Sequence, residues 1–332
     1  MRNTTVSIET IRQAAERSSG FVVKTPLLRS SELDQKTGGR IYLKAENLQR
    51  SGSFKFRGAI SRISALSAEE RTRGVVAYSS GNHALAVSEA CRLLDIRATV
   101  VMPSDAPRIK IDGCRDRGAT VVLYDRLRDD RAAIGADLVA RHGMTMVAPY
   151  DDDHVIAGAA TGALEACAQM EQAPVDLALV CCSGGGMAAG WSVALRALHP
   201  EARVVVVEPA GFDDTARSLA AGRRLENERK SGSICDALLA VTPGERTFPI
   251  LRDNGASGVS VTDEDCLAAM RFAFANLKLV LEPGGASALA AVLAAKVEMR
   301  GRNVLVACSG GNVDPAVFSR CLFPQPEARA EG

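Results

Sequence analysis

The chain has 332 residues, 47% of them hydrophobic, and a formal net charge of +1 from 40 Lys+Arg against 39 Asp+Glu. That length suits two domains or one large one, and the charge balance leaves no electrostatic footprint for nucleic acid or an anionic membrane. Nine cysteines, an odd number without a C-x-x-C pair, and four scattered histidines argue against a disulfide scaffold or a histidine metal doublet.

Met1 to Thr5 leads into polar, helix-like sequence without an apolar signal core, and the weakly polar run from Ala286 to Ala295 is too short to span a bilayer. A soluble, cytoplasmic protein is expected. Ser51-Gly52-Ser53-Phe54-Lys55-Phe56-Arg57-Gly58-Ala59 then places one lysine between two phenylalanines. Burial of such an amine disfavours the ammonium and leaves the neutral nucleophile that condensation with an aldehyde requires. A lysine snorkelling from an amphipathic helix fits the same residues.

From Gly74 onward, short β-branched runs alternate with helical patterns. Strands are expected at Gly74 to Tyr78, Ala98 to Met102, Ala119 to Leu123, Leu177 to Cys182, Arg203 to Val207 and Asn303 to Cys308. Helices are expected at Asn82 to Leu94, Pro107 to Arg117, Arg128 to His142 and Met187 to Leu198. Such alternation implies βαβ units and parallel sheets. The polar stretch Leu225 to Ser233 reads as a mobile loop, and a boundary is expected in the turn-rich Ala148 to Asp153.

Three turns fall just past expected strands, where parallel sheets hold ligands. Ser79-Ser80-Gly81-Asn82-His83 sets hydroxyls, an amide and N–H groups at a helix start, which suits an anion or a simple N-cap. Ser183-Gly184-Gly185-Gly186-Met187 has three glycines with no Cβ to block a ligand, at the start of a helix, and points to a phosphate. It does not match the nucleotide P-loop and matches G-x-G-x-x-G only weakly. Cys308-Ser309-Gly310-Gly311-Asn312 presents a hydroxyl suited to a heterocycle nitrogen, or is a plain terminal turn. On these residues alone, a non-catalytic protein holding a phosphorylated ligand stays open.

Together with Glu46-Asn47-Leu48-Gln49, Val207-Glu208-Pro209 and Glu282-Pro283, these segments resemble, in order and over residues 20 to 320, the tryptophan-synthase-β-like (fold-type II) pyridoxal-phosphate enzymes. Within them the chain is similar to the serine/threonine dehydratase and serine racemase branch. The resemblance implies an α/β fold of two three-layer domains with mostly parallel twisted sheets and pyridoxal 5'-phosphate in the interdomain cleft. It implies a discontinuous large domain (1–70 and 152–325), a small mobile domain (71–151) and a tail (326–332). It makes Lys55 the Schiff-base lysine, Gly184, Gly185, Gly186 and Met187 the phosphate loop, and Phe54 the residue packed near the ring. Asn82 matches the partner of the cofactor's phenolic oxygen and Ser309 the partner of its pyridine nitrogen. Ser79, Ser80, Gly81 and His83 match the loop that receives the substrate carboxylate, and Arg131 matches an arginine near the substrate.

The implied activity is loss of the β-hydroxyl from a β-hydroxy amino acid, foremost L-threonine or L-serine, to give a 2-oxo acid and ammonia, with Lys55 taking the Cα proton. A neutral Ser309 in place of an aspartate makes a weaker electron sink, which suits prompt β-elimination. Ser80 would face the substrate carbon from the side opposite the lysine, as a second acid/base, and permits an amino-acid racemase as the alternative. A 3-hydroxyaspartate or other 3-substituted serine ammonia-lyase is a further alternative. Glu208, Phe212 and Asp214 match a divalent-cation segment, and oxygen ligands suit Mg²⁺ or Ca²⁺; an acidic loop capping the next helix is the other reading. Gly158-Ala159-Ala160-Thr161 and Asp236-Ala237 depart from the usual Gly-Gln-Gly-Thr and Asp-Gly, both expected near the cleft. The partners expected are a small-molecule amino acid and a second copy of the chain, as a homodimer.

Overall fold

The computed structural model describes residues 6–323 apart from 80, 126 and 172. Its strands, in chain order, are β1 (Leu27–Arg29), β2 (Arg40–Ala45), β3 (Val75–Tyr78), β4 (Ala98–Pro103), β5 (Thr120–Tyr124), β6 (Thr145–Met146), β7 (Leu177–Cys181), β8 (Arg203–Pro209), β9 (Ser257–Val261) and β10 (Asn303–Cys308). They form a six-stranded sheet, β1-β2-β10-β7-β8-β9, and a four-stranded sheet, β5-β4-β3-β6. Among these strands only β1 and β2 pair antiparallel; every other pair is parallel. The expected α/β class with mostly parallel sheets is therefore the one found.

β7 and β10 are buried at every position, and β8 at all but its first. Their sequences do not alternate because helices cover both faces of a parallel sheet. Helix Pro283–Leu293 packs across β7 to β10, and helix Gly186–Leu198 packs on β7 and β8. All nine cysteines are buried within these cores and unbridged, as small hydrophobes.

Several local expectations shift. The helix expected from Arg128 starts at Arg131, because Asp130 Oδ1 accepts from the N–H groups of Ala132 and Ala133 and caps it there. The Leu225 to Ser233 stretch is held at its ends: Asn227 is buried and donates to Asp214 Oδ1 at 2.6 Å and to Ala240 O at 2.9 Å, and Ser233 Oγ donates to Asp263 Oδ1 at 2.6 Å, while Glu228 to Gly232 are exposed. Gly158-Ala159-Ala160-Thr161 does not line the main cavity. It lies inside helix Asp153–Gln169, which runs between helices Lys55–Ser64 and Gly186–Leu198.

A buried ionic network fixes the start of helix Lys55–Ser64 to β2. Arg57 Nε donates to Glu46 Oε2 at 2.7 Å and its Nη2 to Glu46 Oε1 at 2.8 Å; its Nη1 reaches Glu165 Oε2 at 3.2 Å. Lys44 Nζ donates to Glu165 Oε1 at 2.6 Å and to the backbone O of Thr25 at 2.7 Å. Two cations meet two carboxylates, so no charge is left uncompensated.

The helix contact carries a prediction. A Cβ at Gly158 would come within 2.4 Å of Arg57 O and 2.5 Å of Ser61 Cβ. A Gly158→Ala substitution should therefore destabilise the protein by about 1–3 kcal/mol through overpacking, more than the ~1 kcal/mol gained in helix propensity. A urea titration reads this as a lower midpoint, and an unchanged or higher midpoint would contradict the contact.

Candidate active site

Because the strands run parallel, their carboxyl ends share one edge of each sheet. Cys308 pairs with Ala45 and Cys181 with Val207, so the turns after β2, β7, β8 and β10 emerge side by side. Ser53 bridges Gly310, and the N–H of Phe54 donates to Ser309 O at 3.0 Å. The start of helix Lys55–Ser64 is thereby set against the turn after β10. A cavity of about 490 Å³ opens here, and Lys55, Ser79, Lys110, Arg131, Gly184 and Ser309 are among the residues that line it.

Lys55 Nζ donates to the backbone O of Pro149 at 2.6 Å and lies 5.2 Å from the centre of the Phe54 ring. No carboxylate pairs with it among the described residues. Its residual exposure is toward the cavity and protein encloses the rest, so burial pushes its pKa down to about 8. A substantial neutral fraction at physiological pH follows.

On the facing wall, Ser183 to Gly186 turn from β7 into helix Gly186–Leu198. Gly185 holds φ at +92°, which a side-chain-bearing residue adopts only under strain, and a Cβ on Gly184 would strike the Tyr150 ring. The N–H groups of the helix's first turn have no intrahelical acceptor, so with Met187 buried below, the turn offers donors to an anion.

Asn82 opens helix Asn82–Leu94. Its Nδ2 donates to Glu282 Oε1, and its Oδ1 accepts from Asn312 Nδ2 at 2.8 Å. One amide hydrogen remains for a ligand. Glu282 Oε2 is buried without a partner, and burial raises this carboxyl to about 7. The N–H of Gly81 donates to Ser79 Oγ at 3.1 Å, shaping the loop. His83 Nε2 meets Val147 O at 2.9 Å, so that nitrogen carries the hydrogen; Nδ1 is buried and unpartnered. Burial, with Lys55 nearby, lowers this imidazole to about 3 and keeps it neutral. Ser80 lies outside the described residues.

Arg131 is the first residue of helix Arg131–His142 and stacks 5.4 Å from the Tyr78 ring centre, with no carboxylate partner among the described residues. Phe54 and Ala237 also line the cavity. Glu208, Phe212 and Asp214 do not; they cluster behind the glycine turn, at the end of β8. Both Glu208 oxygens accept helix N–H groups, from Thr215 at 3.1 Å and Ala216 at 2.8 Å. Asp214 Oδ2 is buried and unpartnered. Burial and the neighbouring Asp214 raise Glu208 to about 8, and burial raises Asp214 to about 7. Among the described residues no three His, Cys, Asp or Glu side chains gather as a metal cluster.

Among the ionisable wall residues that the sequence reading did not name as site groups are Lys110 and Glu282. Lys110 carried the same local signal as Lys55, a lysine between two large apolar residues, Ile109 and Ile111. Glu282 carried only its place before Pro283.

Among the described residues no helix is long and apolar enough to cross a membrane. The family model for pyridoxal-phosphate dependent enzymes matches residues 19–310. The chain is 42% identical over 317 residues to L-threo-3-hydroxyaspartate ammonia-lyase of Pseudomonas sp, covering 95% of this chain and 98% of that one. Among solved structures it superposes on a T.th. threonine deaminase with a TM-score of 0.86 at 40% identity, covering 93% of this chain and 99% of that one. It superposes equally well on serine racemase from Dictyostelium discoideum, TM-score 0.86, at 36% identity with the same coverage. A match over most of the chain, in sequence and in fold, means that the protein belongs to the pyridoxal-phosphate dependent enzymes.

Proposed function

We propose that this enzyme removes water from a β-hydroxy amino acid and yields a 2-oxo acid and ammonia. The observation that carries the reading is Lys55: a half-buried amine with no carboxylate partner among the described residues, lining the same cavity as a glycine turn whose N–H groups suit a phosphate. The residues fit pyridoxal 5'-phosphate. Gly184 and Gly186 leave no room for a Cβ beside Tyr150, Ser309 is a neutral hydroxyl at the end of β10, and Asn82 keeps a free amide hydrogen. When bound, the cofactor supplies an aldehyde for the substrate amine and an electron sink for cleavage at Cα.

The chain's own groups do the rest. Gly184 to Met187 would hold the phosphate, Asn82 and Ser309 would offer hydrogen bonds to the ring substituents, and Phe54 would pack near the ring. The helix start at Ser79 to His83 takes the substrate carboxylate. Released as a free amine, Lys55 accepts the Cα proton, and its depressed pKa places that base near the working pH. Within the substrate class, Arg131 has no resident carboxylate to compete for it. A relative 42% identical is an L-threo-3-hydroxyaspartate ammonia-lyase. Both facts favour that acidic substrate, with L-threonine and L-serine next. A Lys55→Ala variant should lose the bound cofactor's visible absorption and lose turnover by about 10³-fold or more, read by 2-oxo acid release with chiral analysis of the unreacted substrate. Retained turnover would refute the assignment, and inversion without 2-oxo acid would make the enzyme a racemase.

We infer further that Glu208, Asp214 and the Phe212 carbonyl hold Mg²⁺ or Ca²⁺, supported by the unpartnered Asp214 Oδ2 and by two carboxyls raised together. Without metal, the folded protein keeps protons on these carboxyls that the unfolded chain has already released. Its stability should therefore fall as pH rises from the ordinary values of 4.5 and 3.8 through about 7 and 8. A bound dication replaces those protons and removes the loss. Thermal melts across that window, in chelator and then with added Mg²⁺ or Ca²⁺, read the difference. A melting temperature indifferent to the cation would exclude the site.

A further inference from the structure

Lys110 sits on helix Arg108–Arg115, beside the four-stranded sheet, and is 4% exposed. Across the cavity, its Nζ donates to Asp236 Oδ2 at 3.0 Å. Asp236 belongs to the turn Asp236–Leu238, on the side of the six-stranded sheet. The two partners are unequally buried: the lysine side chain is 5% exposed and the aspartate 48%. An ion pair with a half-solvated carboxylate contributes little, whereas a buried ammonium needs acceptors for three hydrogens. Only one acceptor is present among the described residues. Lys110 also abuts the loop before helix Asn82–Leu94, since a Cβ on Gly81 would come within 3.4 Å of its Nζ. Glu282, which also faces it electrostatically, is raised to about 7 by its own burial.

We propose that Lys110 is a specificity-determining residue that takes the distal carboxylate of a β-hydroxy dicarboxylic amino acid, with Asp236 as its resting partner. This rests on the β-hydroxy amino-acid reading above. A monocarboxylic substrate needs one anion site, and the helix start at Ser79 to His83 provides it. The cavity wall also carries Lys110, and Arg131 with no carboxylate partner among the described residues. A neutral substrate side chain leaves Lys110 on Asp236 and gains nothing. A carboxylate exchanges that half-solvated partner for an enclosed one, and Asp236 turns to water at little cost because it is already half exposed.

The test compares kcat/KM for L-threo-3-hydroxyaspartate and for L-serine in the holoenzyme and in Lys110→Met, Lys110→Arg and Asp236→Asn. The ratio of the two should fall about tenfold or more in Lys110→Met, hold in Lys110→Arg, and rise in Asp236→Asn, where the competitor has lost its charge. Equal losses on both substrates would make the residue a clasp between the sheets or an α-carboxylate ligand, and would overturn the proposal, as would an unchanged ratio. Release of no 2-oxo acid from any β-hydroxy amino acid would end the functional reading separately. In that event malate, titrated into wild type, Lys110→Met and Asp236→Asn and followed by thermal shift, still decides. Weaker binding in Lys110→Met with tighter binding in Asp236→Asn supports the proposal, and binding alike in all three overturns it.

Discussion

An amine enclosed by protein with no carboxylate to balance it is the constraint on which this site depends. Lys55 and Arg57 lie two residues apart, yet the fold treats them in opposite ways. Arg57 receives Glu46 bidentately and Glu165 as well, so its charge is held firmly above the ordinary range. Lys55 receives one backbone carbonyl. Desolvation therefore acts on Lys55 unopposed by any carboxylate and draws its pKa toward neutrality. The two sit on the same helix start: the paired guanidinium ties it to Glu46, just after β2, and to Glu165 of helix Asp153–Gln169.

The parallel sheet supplies the second requirement, convergence. Register pairs Ala45 with Cys308 and Cys181 with Val207. Four turns therefore leave the six-stranded sheet at one edge, though they are far apart in sequence. Two of these, after β7 and β10, could be located from the chain alone, as could the turn after β3 in the other sheet, because each pairs a glycine or hydroxyl cluster with the end of a β-branched run. The central strands were legible for the same reason: β7, β8 and β10 are continuous apolar runs buried on both faces. β6 has two residues and β9 is Ser257-Gly258-Val259-Ser260-Val261, so neither carries enough apolar length to stand out.

What sequence could not show is mostly partnership across long separations. Lys44 finds Glu165 at a separation of 121 residues, and Lys110 finds Asp236 at 126. Nothing local distinguishes a lysine that will be paired from one that will not, and the Ile109-Lys110-Ile111 and Phe54-Lys55-Phe56 triplets look alike. Gly158 to Thr161 failed in the other direction. A departure from a family pattern suggested a change at the cleft, but small residues there serve the close approach of two helices. The acidic Glu208 to Asp214 segment allowed both a helix cap and a cation site. The cap expected from Asp213 or Asp214 is not the one found: Asp213 makes no side-chain cap bond, Glu208 accepts the N–H groups of Thr215 and Ala216 instead, and one buried Asp214 oxygen is left without a donor.

Burial also sorts the charges inside the cavity. It holds His83 neutral and raises Glu282 to about 7, and Ser309 carries no charge at all. Groups that would otherwise offer fixed charge to the reacting carbon instead offer hydrogen bonds. Further positive charge on the cavity wall sits on Lys110 and Arg131, on elements packed with the four-stranded sheet, and on Arg224, whose partner Glu245 lies at 3.7 Å. The glycine turn and Ser309 belong to the six-stranded sheet. The cavity wall is thus shared by the two sheets: Asn82, Lys110 and Arg131 come from the side of the four-stranded one, and the glycine turn, Asp236 and Ser309 from the side of the six-stranded one.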